Sequence, residues 1–184
     1  MSAHQTITRA QFEEALTPAA LQMTQIIQGS LMAGPLVALV VVAAVGLSNQ
    51  PHASAPGPLE TVRTLTVAHA IVTVLAYLGA PFLYLRTFAA ARLYNSRIDE
   101  PPEMLAARCV LLQRSAIILR LAVLEAAAFM GVAVCLIGIM NGVFAVQPLF
   151  WINLISPVLL LAYSSFTFPS RERLISWFEQ RFTS

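Results

Sequence analysis

The sequence predicts an all-α polytopic membrane protein with four transmembrane helices arranged as two hairpins. Three observations predict it. The 184 residues are 58% hydrophobic and 11% charged, against roughly 25% charged in soluble domains. Four apolar runs each approach or exceed the roughly twenty residues that cross a hydrocarbon core as a helix. The runs are continuous rather than alternating. That excludes the strand pattern of a membrane barrel and leaves helices, which satisfy every backbone polar group in lipid.

The elements follow in order. Residues 1–20 form a cytoplasmic N-terminal segment. It contains a weak amphipathic candidate, Thr8–Leu16, with Phe12 and Leu16 four apart. The first span covers about 21–47 and is strongest from Leu36 to Val45. Pro51, Pro56, Gly57 and Pro58 make Ser48–Leu59 an irregular external loop. Ala53-Ser54-Ala55 has the form of a signal-peptide cleavage site. The apolar run before it is too long for a signal peptide and only Arg9 precedes it, so the run is kept as a span.

The second span covers about 64–85. After it, Thr87–Leu93 continues the helix, and Asp99-Glu100-Pro101-Pro102-Glu103 reads as a turn and helix start. Proline suits the first turn and acids suit its positive end. Nothing breaks the helix from Glu103 to Met140, about 57 Å at 1.5 Å per residue. The hydrocarbon core takes only about 30 Å. A helical hairpin over about 86–114 is therefore expected to project into the cytosol. The competing reading interrupts the helix near Arg114 and lays its first part on the membrane.

The third span covers about 115–140, with its apolar core at Leu121–Met140, and the fourth covers 148–166. Phe168-Pro169-Ser170 then punctuates the chain. In residues 167–184, Leu174, Ile175, Trp177, Phe178 and Phe182 share one helical face opposite charges. This suits an interfacial amphipathic helix with an aromatic anchor. The rivals are a cytosolic partner helix or a lid over the hairpin.

Arginines set the orientation. Arg86, Arg92, Arg97, Arg108 and Arg114 lie between spans two and three, and Arg171, Arg173 and Arg181 follow span four. The loop Asn141–Gln147 has none, and Arg63 alone borders the first loop. Both termini and the middle segment are expected in the cytoplasm. All eleven basic residues are arginine and alanine is abundant. That suggests a GC-rich bacterial coding bias and hence a bacterial inner membrane.

Several function classes lack support in the sequence. A net charge of +2 is too small to indicate nucleic-acid binding. Cys109 and Cys135 are 26 residues apart on one helix, roughly 39 Å, so they cannot form a bridge. His4, His52 and His69 fall in three regions without metal-ligand spacing. No nucleophile elbow or phosphate loop occurs, so neither catalysis nor a cofactor is expected.

Glu125 is the one carboxylate in the middle of an apolar run, and an acid there is costly. Counting depth along the helices sets it near Tyr163 and Ser164 on span four. On span two the level is near Gly79, Ala80 and Pro81, and on span one near Ser30 to Gly34. Three readings compete: a neutral carboxyl donating one interhelical hydrogen bond, a proton or ion relay, and a contact with a polar group of a neighbouring subunit. Arg114, Arg120, Arg171 and Arg173, with Trp177, are candidates for lipid headgroups.

Other polar residues have bland and sharper readings. Gln22, Gln25 and Gln28 suit a helix end rising through headgroups, or a polar face meeting another helix. Thr66, His69 and Thr73 form a stripe on span two. There His69 is expected as a hydrogen-bonded packing histidine, with a pH sensor or ligand as the alternative. Pro35, Pro81 and Pro157 lie within spans and allow kinks. Ser30/Gly34 and Ala127/Gly131 permit close helix contact.

An offset of 91 residues lays Thr24-Gln25-Ile26-Ile27 over Ser115-Ala116-Ile117-Ile118 and Gly34 over Glu125. Two similar hairpins suggest an internal duplication. With Glu125-Ala126-Ala127-Ala128 and Gly131 on one helix, the architecture resembles the duplicated-hairpin proteolipids, subunit c, of rotary ATPases. That resemblance implies a membrane-embedded carboxylate on small-residue helices. Here the acid lies on the first helix of its hairpin, whereas that family carries it on the second.

The expected function is that of a non-enzymatic accessory or assembly subunit of a larger membrane complex or homo-oligomer. Its partners are the bilayer and other membrane subunits or copies of itself. The alternative is a proton or ion translocation subunit using Glu125.

Overall fold

A computed structural model describes residues 7–48, 56–95 and 101–182. All of their regular structure is helical: α1 (Arg9–Ala15), α2 (Pro18–Ser48), α3 (Pro56–Asn95), α4 (Pro102–Met140), α5 (Val143–Val146), a 3-10 helix (Pro148–Leu154), α6 (Ile155–Phe166) and α7 (Arg171–Phe182). Four segments are long and apolar enough to cross a membrane: Pro18–Ser48, Pro58–Phe88, Pro102–Met140 and Pro148–Phe166. Val37, Leu75 and Leu78 are each more than 60% exposed, an outer surface suited to lipid rather than water. The cleavage-like Ala53-Ser54-Ala55 and the turn residues Asp99 and Glu100 lie outside the described residues.

Helix α4 is continuous from Pro102 to Met140, with Glu103 in its first turn, as the proline-and-acid start predicts. It ends where Asn141 and Gly142 reverse the chain. Gly142 takes a left-handed φ of 66°, which glycine adopts without a Cβ penalty. Span four departs from the expected regular helix. Its first seven residues are 3-10, and Pro157 falls in the first turn of α6. At that position no helical amide donor is needed, so Pro157 opens a helix rather than kinking one. Pro35 and Pro81 do lie inside α2 and α3.

The chain divides into two compact units. One comprises Met1–Gly29, Pro81–Arg120 and Thr167–Ser184, and the other Ser30–Ala80 and Leu121–Phe166.

In the first unit, α1 starts with a capping box. The Thr8 hydroxyl accepts from the Gln11 amide, and the Gln11 side chain accepts from the Thr8 amide. Phe12 of α1 and Phe178 of α7 stack with centroids 4.2 Å apart, and both are fully buried. Arg171 donates to the carbonyls of Leu16 (3.3 Å) and Glu13 (3.0 Å), satisfying orphan acceptors at the end of α1. Arg9 bridges Glu13 and Glu179.

The apolar face of α7 is thus covered within the chain. Leu174, Ile175 and Phe178 are buried, and Gln113 of α4 donates to the Leu174 carbonyl at 3.0 Å. The physical reason is the fit between two short amphipathic helices, each of which hides its phenylalanine on the other. Gln25 and Gln28 likewise meet protein rather than headgroups. Gln25 donates to the Pro169 carbonyl at 2.9 Å, and Gln28 is 1% exposed.

In the second unit, Val42 of α2 packs with Val132, Cys135 and Ile139 of α4. Val62 of α3 packs with Val134, Val143 and Phe150. Phe144 and Trp151 stack at 4.1 Å. Cys109 and Cys135 are both free and buried.

Candidate functional site

Glu125 is partly exposed on α4, on a face with the exposed Ala122, Ala126 and Phe129. Its neighbour on α2 is Gly34, the position that the 91-residue offset equates with it. A Cβ at Gly34 would lie 3.1 Å from Glu125 Oε1 and 3.1 Å from the Phe129 ring. Glycine therefore lets the carboxyl rest against the α2 backbone. The adjacent Pro35 is buried and cannot donate to the carbonyl of Leu31. Among the described residues the ion pairs join Arg9, Glu13 and Glu179, and Arg63 and Glu60. Glu125 enters none of them. Of its expected hydroxyl neighbours, Ser164 is 1% exposed and Tyr163 is partly exposed.

A second polar cluster surrounds His69, which is 5% exposed. Its Nδ1 lies 2.8 Å from Asn153 Oδ1, and its Nε2 lies 2.8 Å from Ser156 Oγ. Asn153 Nδ2 donates to the Phe150 carbonyl at 2.8 Å and to Thr66 Oγ1 at 3.0 Å. The Phe150 carbonyl only accepts, so it fixes which end of the Asn153 amide faces it. Asn153 Oδ1 then also only accepts, so His69 carries its hydrogen on Nδ1. In the neutral ring Nε2 then accepts from Ser156, whose hydroxyl also lies 3.4 Å from the Ala127 and Asn153 carbonyls.

Gly131 of α4 makes room for this arrangement. A Cβ there would fall 2.7 Å from Ser156 Oγ and 2.8 Å from His69 Cε1, and closer still to the Asn153 carbonyl. His69 is therefore the hydrogen-bonded packing histidine that its stripe suggests. Its partners Asn153 and Ser156 were not singled out from the sequence. The signal was present: two polar residues three apart in an apolar span share a helical face.

Glu125 and Gly131 are six residues apart on α4, about 9 Å along the axis and roughly 120° around it. The carboxyl meets α2 and the glycine meets the His69 cluster, so the two polar places are separate.

The headgroup candidates divide. Arg120 lies over the Tyr84 ring at 4.9 Å and near the Trp177 ring at 6.0 Å, within cation–π range. Arg171 is engaged by the end of α1, and Arg173 donates to the Phe168 carbonyl at 3.0 Å. Arg114 is partly exposed. Among the described residues no cluster of three His, Cys, Asp or Glu side chains could hold a metal. No protein-family model, no curated protein and no solved structure matches this chain.

Proposed function

We propose that this chain is a non-enzymatic integral protein of a bacterial inner membrane, with both termini cytoplasmic. It serves as an accessory or assembly subunit of a larger membrane complex or homo-oligomer. The observation that carries the proposal is Glu125, a partly exposed carboxyl on an apolar helix face with no ion pair among the described residues. An acid at a lipid-facing surface is costly, and a polar group on a neighbouring helix relieves that cost. Ala33, Gly34, Ala122 and Ala126 are small and allow such a helix to approach closely. The arginine-rich segment between spans two and three, set against the arginine-free loop Asn141–Gln147, supports the orientation.

The test is the mass of the protein extracted from its own membrane in a gentle detergent. The proposal expects a particle larger than one chain, which Glu125→Leu reduces to a monomer. A wild-type chain that is monomeric under these conditions defeats it.

A second reading, proton or ion translocation, draws on the pairing of Glu125 with Gly34 beside Pro35. There the carboxyl and the Leu31 carbonyl, to which Pro35 cannot donate, are acceptors on adjacent helices. It predicts proton flux into liposomes that Glu125→Gln abolishes. Flux that is absent, or unchanged by the substitution, rules it out.

A further inference from the structure

We infer that water molecules are bound along the inner face of α3 at Thr73 and Tyr77, making the His69 cluster one end of a hydrated polar seam. Thr66, His69, Thr73 and Tyr77 are spaced three, four and four residues apart, which aligns them on one side of the helix. The first two are joined to Asn153 and Ser156. The next two are not. Thr73 Oγ1 and the Tyr77 hydroxyl are buried atoms without a hydrogen-bond partner among the described residues.

Two adjacent unpaired hydroxyls are unusual, because nearly all buried polar groups are satisfied by protein or ordered water. In lipid each unmet group is costlier still. Each hydroxyl can be satisfied by an ordered water at about 2.8 Å. A buried water typically takes 2–4 polar partners, and the Thr73 and Tyr77 hydroxyls are the partners that this face of α3 offers.

The chemistry selects water over a cation. The seam offers neutral hydroxyls and an imidazole, while Glu125 lies against Gly34 of α2. Glu60 and Arg63 of α3 are exposed and paired with each other.

The test uses the full chain in lipid bilayers and solid-state NMR transfer of magnetisation from water. Thr73 and Tyr77 are expected to receive it at mixing times when the neighbouring, lipid-facing Val74 and Leu75 do not. Thr73→Val is expected to lower the unfolding temperature and weaken the transfer to Tyr77, while Thr73→Ser keeps both near wild type. Thr73 and Tyr77 as silent as Val74 would overturn the inference. So would a higher unfolding temperature in Thr73→Val, because a dry unpaired hydroxyl is improved by an isosteric methyl group.

Discussion

His69 Nδ1 and Asn153 Oδ1 lie 2.8 Å apart, tying α3 to the 3-10 helix that begins span four. The bond depends on a chain of constraints that starts at the Phe150 carbonyl and ends at the Ser156 hydroxyl. Replacing Asn153 by Leu leaves the His69 ring hydrogen without its acceptor in an apolar surround. The expected loss of stability is about 1–2 kcal/mol, measured by unfolding in mixed micelles. Unchanged stability would mean that the network does not hold the helices together.

The same constraints fix the imidazole tautomer. Nitrogen-15 spectra of His69 in bilayers at neutral pH are expected to report hydrogen on Nδ1 and a bare Nε2. The opposite tautomer would require the Asn153 amide to be turned over, breaking its donation to Phe150.

Gly131 and Gly79 are a matched pair for testing the close approach. A Cβ at Gly131 collides with the His69 cluster, while one at Gly79 meets nothing within 4 Å. Gly131→Ala should cost about 1–3 kcal/mol by overpacking. Gly79→Ala should be neutral or slightly stabilising through helix propensity. Equal effects in the two variants would remove the steric argument.

Phe12 keeps α1 in place. A seven-residue helix has no stability of its own, so Phe12→Ala should release it from α7. Amide hydrogen exchange over residues 9–15 should quicken by more than about tenfold, given the several kcal/mol that truncating a buried Phe costs. The amides of α4 from Leu121 to Met140 should keep their protection. Unaltered exchange in α1 would show that the Arg171 and Arg9 contacts suffice alone.

Glu172 gives the first turn of α7 a pH dependence. Its own backbone amide, and then the Ser170 hydroxyl, hold its carboxyl below the ordinary value of 4.5. A depressed carboxylate contributes stability that is present above its unfolded pKa and is lost as pH falls through its folded pKa. Fraying of α7 is therefore expected to begin below about pH 4.5, read from amide exchange near Arg173. Glu172→Gln should remove that dependence, and a variant that frays over the same window would assign it elsewhere.

The four long apolar helices were legible because continuous apolar runs of that length favour helix over alternating strand. The start of α4 was legible because Pro102 and Glu103 carry the chemistry of a helix N-terminus. The 3-10 character of Pro148–Leu154 was not, since apolar content reports burial and not the pitch of the helix. The amphipathic face of α7 could be read, but not what covers it: Phe12 lies 166 residues away, and its match to Phe178 is a tertiary fact. Helix rise set Ser30 to Gly34 near the level of Glu125, and a Cβ at Gly34 would lie 3.1 Å from the Glu125 carboxyl. His69 was visible in its stripe. Asn153 and Ser156 escaped because polar residues in an apolar span draw less notice than charged ones.

The exposed side of Glu125 is where the proposed neighbouring helix would sit. A photoreactive amino acid at Ala126, on the same face of α4, can be activated in the native membrane and compared with one at Val74 on α3. The predicted result is a single protein adduct from position 126, lost in Glu125→Leu, and only lipid adducts from position 74. Lipid adducts alone from both positions would contradict a subunit contact at Glu125.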